Sequence, residues 1–301
     1  MDEVLKLFNE VYVYLNAVDT ALKSRNSPPP GDVAGKLRAD AARLPEPVRS
    51  MVENLSQTGA AQARVAERGN LSQDLRPVTE FCERAISGRY PFDPNSPRDV
   101  LPEDFGQMFG PGGLMDDFFQ KRLAPLVDTS TRPWRYKPVA DRGAVTPAAL
   151  VQFERAARIR DIFFRAGGRA PSIRLDFRPV EMDASITQFI LDVDGQLVRY
   201  AHGPAVPMAV QWPGPRGSNQ VRIQLNPPSA TGGASGMTVD GPWALFRAFD
   251  KSQLEPGGAP ERFFVTFAID GRRARFEVTA NSVQHPVRLR ELREFKCPQG
   301  L

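Results

Sequence analysis

The chain has 301 residues, of which 41% are hydrophobic and 25% are charged, a balance typical of a soluble globular protein with a sizeable core. Its net charge is +4 and its pI is about 9.2, but Lys and Arg are not interleaved with aromatic residues, so we expect no nucleic-acid partner. No stretch approaches the roughly 20 apolar residues of a membrane span, and the charged residues within positions 1–23 argue against a secretory signal.

Helical spacing of apolar residues dominates the first half of the chain. The opening helix is predicted from steps of four and three residues, and it stops before the Ser-Pro-Pro-Pro-Gly run at 27–31; its apolar face is Val4, Phe8, Val11, Leu15, Val18 and Leu22. A second helix is predicted from Val48, Met51, Val52 and Leu55. A third helix, which Pro77 would kink or delay, is predicted from Leu71, Leu75, Val78, Cys82, Ala85 and Ile86.

In the segment 105–138, the glycines, prolines and aromatic residues determine the conformation of the chain, and the segment contains no evident reactive group. The glycines at 110, 112 and 113 permit positive φ and Pro111 fixes its own φ, so the chain is predicted to turn sharply before a helix. Asp116 and Asp117 would lie in the first turn of that helix, where the helix dipole favours carboxylates. Pro125 is predicted to end it. Trp134 is predicted to anchor the extended stretch that follows.

The last long helix is predicted to begin with Thr146 as N-cap and Pro147 as first helical residue. Its apolar residues are Leu150, Phe153, Ala157 and Phe164, and Gly167 and Gly168 are predicted to stop it.

After Pro171 the hydrophobic period changes from 3.6 to 2, which indicates strands. Apolar and polar residues alternate over 173–178 and again over 221–226, as half-buried strands require. Asp-Gly pairs at 194–195 and 270–271 are typical of tight hairpin turns, and residues 241–250 are predicted to form a short helix. We therefore predict an α+β protein, with an all-helical domain at 1–168 and a β-sandwich domain of seven or eight short strands at 169–301.

Catalytic, metal and cofactor sites find little support, and we expect none of the three. Both histidines, His202 and His285, lie close to prolines in predicted loops or strand ends, which favours structural roles. Cys82 and Cys297 lack neighbours that could complete a zinc site, although a Cys-His nucleophile pair remains possible. The glycines at 110–113 are not followed by Lys-Ser or Lys-Thr, so they do not form a phosphate-binding loop.

Several multi-residue motifs occur in series from about residue 75 to the end. They are Arg-Tyr-Pro-Phe at 89–92, the segment 105–138, Ile-Arg-Asp at 159–161 with Phe-Phe at 163–164, Tyr-Ala-His-Gly-Pro at 200–204, Gln-Trp-Pro-Gly-Pro at 211–215, Gly-Pro-Trp-Ala-Leu-Phe-Arg at 241–247 and Phe-Lys-Cys-Pro at 295–298. In content and order they resemble the C-terminal periplasmic region of the IcmF/TssM family, the inner-membrane scaffold of bacterial type VI secretion.

This resemblance implies a non-enzymatic scaffold segment in the periplasm of a Gram-negative bacterium, with membrane spans only in an upstream part that is absent here. It also implies that the β domain binds the outer-membrane lipoprotein TssJ, and that the chain assembles with other copies of itself and with the inner-membrane protein TssL. The partner-contacting residues leave no recognisable signature, and loops of the β domain are the suspected surface. The residues expected to anchor structural motifs are Phe109, Gly110, Gly112, Gly113, Trp134, Trp212 and Trp243.

Two further expectations concern cysteine and tryptophan. Because the periplasm is oxidising, Cys82 and Cys297 are expected to form a disulfide that holds the C-terminal tail against the helical domain; two buried free thiols are the alternative. Trp212 and Trp243 are expected to be core anchors. If they were exposed and coplanar they could instead form a sugar-stacking platform, so a peptidoglycan- or glycan-binding envelope module is the alternative function.

Overall fold

A computed structural model of the chain describes residues 2–24, 29, 31–137, 147–229 and 232–299. The helices are α1 (Asp2–Ser24), α2 (Gly31–Ala41), α3 (Val48–Ala85), α4 (Pro102–Phe109), α5 (Leu114–Phe118), which continues into a π-helical segment (Phe119–Leu123), α6 (Pro147–Phe163), α7 (Ala244–Asp250) and α8 (Arg290–Glu294). The strands are β1 (Val127–Asp128), β2 (Arg135–Tyr136), β3 (Ile173–Met182), β4 (Gln188–Val193), β5 (Gln196–Tyr200), β6 (Met208–Trp212), β7 (Gln220–Asn226), β8 (Gly236–Asp240), β9 (Gln253–Pro256), β10 (Arg262–Ile269) and β11 (Arg272–Ala280). Long helices precede two antiparallel sheets, which confirms the α+β class. Among these described helices, none has the length and apolarity needed to cross a membrane.

The chain folds as two compact units. Unit 1 comprises residues 1–79, 118–151 and 298–301, and unit 2 comprises 80–117 and 152–297. The helical residues 80–117 and 152–168 therefore belong with the sheets, because their aromatic side chains share a core with Trp243. The division at residue 168, as a limit between independently folding domains, stays a prediction.

In unit 1, α1 buries a face that differs in part from the predicted stripe. Leu7, Val11, Tyr14 and Val18 pack with residues of α2 and with Val52 of α3. Of the predicted stripe, Val11 and Val18 are buried and Phe8 and Leu15 are partly buried against this cluster, whereas Leu22 is 41% exposed. Gly59 of α3 leaves room for both Tyr14 and Leu15, since a Cβ there would lie 2.6 Å from the tyrosine ring and 2.8 Å from the leucine side chain.

Helix α3 is continuous over 38 residues, so the prediction of two separate helices at 48–55 and 71–86 was wrong. Pro77 lies inside this helix without ending it. A proline removes only one backbone donor, and the intervening residues, several of them alanines, sustain helical geometry.

The two sheets of unit 2 have the strand orders β6-β3-β11-β10-β9 and β5-β4-β7-β8. Together they hold nine strands, more than the seven or eight predicted. Phenylalanines from the two sheets meet between them, and the ring centroids of Phe189 and Phe276 lie 4.7 Å apart. The alternating burial predicted for β3 and β7 is confirmed.

Both predicted hairpin turns and the predicted short helix are present. Asp194-Gly195 joins β4 to β5 with φ of 52° and 88°, and Asp270-Gly271 joins β10 to β11 with φ of 50° and 73°. Helix α7 (Ala244–Asp250) lies within the predicted range 241–250. Helix α6 begins at Pro147 as predicted, and its predicted N-cap, Thr146, lies outside the described residues.

Candidate protein-assembly site

The tryptophans of unit 2 form the centre of its core. Trp243 is fully buried and Trp212 is 3% exposed, with their ring centroids 4.5 Å apart. The Trp243 indole N–H donates to the Val100 carbonyl at 2.8 Å, and the Trp212 indole N–H donates to the Pro242 carbonyl at 2.9 Å. An exposed sugar-stacking platform built on these two rings is therefore wrong, because buried rings cannot stack on a glycan.

An ion pair between Asp99 and Arg247 fixes the start of α7, and sequence analysis missed it. The Arg247 Nε–H donates to Asp99 at 3.0 Å, and the same guanidinium lies 4.0 Å from the centroid of the Tyr90 ring. A Cβ at Gly241 would lie 2.4 Å from an Asp99 carboxylate oxygen, so the motif at 241–247 requires glycine there. The partners are 148 positions apart, so no local pattern could have revealed the pair.

The glycine-rich turn after α4 depends on close backbone packing. Gly112 has the predicted positive φ, at 64°, whereas φ is −66° at Gly110 and Gly113 is not in the positive region. Of these three glycines, all of which permit positive φ, Gly112 alone adopts it. A Cβ would lie 2.6 Å from the Gly106 oxygen at Gly110, and 2.7 Å from the Gln107 oxygen at Gly113, so both positions need the missing side chain.

Neighbouring side chains hold this turn in place. Phe109 is 1% exposed and its ring centroid lies 4.9 Å from that of Phe295. Asp116 accepts the Gly112 N–H at 2.9 Å and forms an ion pair with Arg160. Asp116 therefore stabilises the turn as well as the start of a helix, and Arg160 places the Ile-Arg-Asp motif beside the glycine-rich motif.

Cys82 and Cys297 are joined in the structure. Their sulfurs are 1.97 Å apart and their Cα atoms are 5.6 Å apart. Around this bond, the Lys296 N–H donates to Gln152 at 2.9 Å, and Arg155 donates to the Glu294 carbonyl at 2.7 Å. No thiol of this pair is available for the Cys-His nucleophile considered from the sequence.

Trp134, the remaining predicted anchor, belongs to unit 1. It is half-buried, and its ring centroid lies 4.8 Å from that of Phe119 in the π-helical segment.

Two hairpin tips, at opposite ends of strand β7, are each held against a neighbouring loop. Asp194 accepts backbone N–H groups from Arg216, Gly217 and Ser218 at 2.7, 2.8 and 2.7 Å. Burial opposes its charge, but a hydrogen bond from the Ser218 hydroxyl together with these backbone hydrogen bonds outweighs burial and lowers the pKa of Asp194 below its usual value. At the second tip, Asp270 pairs with Ser229. Sequence analysis identified these aspartates only as turn residues.

The histidines lie in separate, structural settings. His202 has a φ of 55°, and its Nε2 lies 2.6 Å from the Ile186 oxygen. His285 packs on Phe263 at 4.9 Å, and burial lowers its pKa. Among the described residues, no three His, Cys, Asp or Glu side chains are placed to hold a metal ion.

These features define a protein whose motifs build a rigid core and present fixed loops, as expected of an assembly module. Comparison with known proteins agrees with this class. Residues 175–282 match the family model of the type VI secretion protein IcmF C2-like domain. The chain is 39% identical over 308 aligned residues to the type VI secretion system component TssM1 of Pseudomonas aeruginosa, and it spans 28% of the length of that protein.

Two solved structures share the fold. The C-terminal domain of the T6SS protein TssM from EAEC is 21% identical with a TM-score of 0.67, and the match covers 78% of this chain and 98% of that one. A chain of a type VI secretion system membrane core complex is 19% identical with a TM-score of 0.73, over 96% of this chain and 60% of that one. The chain belongs to the IcmF/TssM family and represents its C-terminal region.

Proposed function

We propose that the chain is a periplasmic scaffold segment of a type VI secretion membrane complex, and that it acts by binding. The observation that carries this proposal is the similarity to TssM1 over the whole chain. The loops of unit 2 bind the outer-membrane lipoprotein TssJ, and other surfaces contact further copies of the chain and the inner-membrane protein TssL.

The geometry of the hairpin tips supports the docking role. Loops already fixed by Asp194 and Asp270 lose little conformational freedom when a partner binds, and this lowers the entropic cost of association. Protein-binding residues often lie on loops that a rigid scaffold positions.

Calorimetric titration with the purified soluble form of the cognate lipoprotein tests this role, with soluble peptidoglycan fragments as a parallel titrant. Saturable one-to-one binding to the lipoprotein alone is expected. Glycan binding without lipoprotein binding would contradict the scaffold proposal.

Charge reversal then locates the docking surface. Arg273→Glu, at the exposed tip of the β10–β11 hairpin, is expected to weaken lipoprotein binding about tenfold or more without changing the melting temperature. Arg199→Glu, on the exposed face of β5, is the matched control. Equal affinity of both variants and the unaltered chain would show that this tip does not contact the lipoprotein.

We also propose that the Cys82–Cys297 bond forms in the oxidising periplasm and fastens the C-terminal tail. It closes a loop of 215 residues. Loop-closure entropy gives an upper figure of roughly 5 kcal/mol for its stabilising effect. A thiol assay in denaturant should detect no free sulfhydryl in protein exported to the periplasm, and titration of two thiols per chain would contradict the bond.

A further inference from the structure

Strand β8 is the edge of the four-stranded sheet and pairs only with β7. The Leu225 N–H donates to Ser235 and the Gly241 N–H donates to Asn219, both at 2.8 Å, at the two ends of this ladder. In an antiparallel ladder the bonded positions alternate, so the odd-numbered residues of β8 bond to β7. The backbone groups of Gly236, Thr238 and Asp240 therefore face away from it, and none of them bonds to another part of the chain that the structure describes.

Both edges of the five-stranded sheet are protected, whereas β8 is not. On β6, the Gln211 N–H and carbonyl are both bonded at 2.8 Å by the side-chain amide of Gln196. Strand β9 has four residues and ends at Pro256. Strand β8 contains no proline and no lysine, pairs with β7 without a register shift, and exposes all three outward positions. Such an edge is a template for another strand.

The sequence of β8 is complementary to itself. If two copies pair antiparallel with Thr238 opposite Thr238, then Gly236 lies opposite Asp240, and every outward N–H and carbonyl meets a partner. Met237 then lies opposite Val239, on the inner face where Val239 is 5% exposed. No like charges meet, and a Thr–Thr pair is favourable at the centre.

We propose that β8 pairs antiparallel with β8 of a second copy of this chain, joining two four-stranded sheets into one sheet of eight strands. The same surface serves both copies, as a two-fold interface requires.

The contact between the two β8 strands is small, and its size determines whether it forms between free chains or within an assembly. Five residues span about 17 Å of strand, so the pair buries less than the roughly 1,200 Å² of a stable complex. The pairing is therefore weak between free chains and becomes strong where an assembly holds copies together. At this point the inference rests on the proposed scaffold function.

Disulfide trapping of Thr238→Cys tests the register. The two Cα atoms would lie about 5.5 Å apart, within the range of a disulfide. Both native cysteines are already bonded, so they add no background. Oxidation of the purified chain at about 100 μM is expected to give a covalent dimer, and mass spectrometry should find the 238–238 cross-linked peptide.

Two matched variants distinguish specific pairing of β8 strands from random collision between chains. Asp240→Cys lies on the same face of β8, but the two copies of residue 240 would be about 13 Å apart, so little dimer is expected. Val283→Cys, at a side chain 68% exposed, measures random collision. Equal dimer yields from all three variants would overturn the proposal.

Thr238→Pro removes the outward N–H without breaking a bond to β7. It should abolish weak dimerisation in sedimentation experiments near 1 mM, while lipoprotein binding stays unchanged. Loss of lipoprotein binding in Thr238→Pro, with no Thr238→Cys dimer, would show that the edge receives a strand of the lipoprotein and would overturn pairing between copies. Because lipoprotein binding is measured separately, failure of self-pairing and failure of the scaffold function are distinguishable.

Discussion

Trp243 and Arg247 lie one helical turn apart, and both bind residues near position 100. The indole bonds to Val100 and the guanidinium to Asp99, so two side chains of one motif connect α7 to a segment more than 140 positions earlier. The aromatic residues of this motif were predicted as anchors because large apolar side chains favour burial. The polar partners of Trp243 and Arg247 were not predicted, because the acceptor of a buried N–H or guanidinium can lie anywhere in the chain.

His285 provides a test at the same scale. Burial lowers its pKa, and a hydrogen bond with the Val287 backbone offsets this only partly. The unfolded chain therefore binds more protons than the folded chain below pH about 6.5, and stability should fall as the pH drops from that value toward the folded pKa. His285→Gln cannot take up a proton, so urea denaturation from pH 7.5 to 5 should show a smaller loss of stability. An equal loss of stability in His285→Gln and in the wild-type chain would rule out His285 as the cause.

At the scale of elements, the turn between α4 and α5 depends on glycines that allow backbone to touch backbone. Gly113→Ala would place a Cβ 2.7 Å from one carbonyl oxygen and 2.8 Å from another, and neither can rotate away. We expect a loss of about 1–3 kcal/mol in the free energy of unfolding, as for other overpacked sites. Gly168→Ala, with no atom within 4 Å of the added Cβ, should change stability by less than about 0.5 kcal/mol. Similar denaturant midpoints for the two variants would show that the turn relaxes around a side chain.

Elements whose signal is local were predicted well. Alternation along β3 and β7, and the two Asp-Gly turns, depend on neighbours within a few residues, and all were found. The errors came from competition between elements. Tyr14 of α1 packs where Gly59, on another helix, leaves room, and Pro77 lies inside a helix that was predicted to be interrupted.

Less of the candidate site than of the fold could be predicted from the sequence. The tryptophans and the glycine-rich turn are visible in the sequence as aromatic and glycine-rich motifs. The Asp194 carboxylate accepts hydrogen bonds from three backbone N–H groups of another loop. This role could not be predicted from the sequence, because it depends on where that loop lies in the fold.

At the scale of the whole molecule, the composition of unit 2 predicts which fragments fold. The predicted β domain, residues 169–301, omits Phe105 and Phe163, whose ring centroids lie 5.2 and 6.0 Å from that of Trp243. It also omits Val100 and Cys82. The buried indole N–H of Trp243 would therefore lose its acceptor, and the C-terminal tail would lose its disulfide bond. An unsatisfied buried donor costs about 1–3 kcal/mol, and each missing ring leaves a large cavity.

We therefore expect residues 169–301 to lack cooperative thermal unfolding and to give a weak near-ultraviolet circular dichroism signal. Residues 80–301 keep every contact within unit 2 and should unfold cooperatively. The solved TssM C-terminal domain, whose match covers 78% of this chain, also extends well beyond the sheets alone.

If residues 169–301 folded as stably as 80–301, the aromatic residues of α4 and α6 would be a covering layer on an autonomous sandwich, and the boundary would lie near residue 168 after all. If only 80–301 folds, the helices of unit 2 are part of the core that positions the loops proposed to bind the lipoprotein. A substitution in α4 would then be expected to weaken that proposed binding without touching the partner.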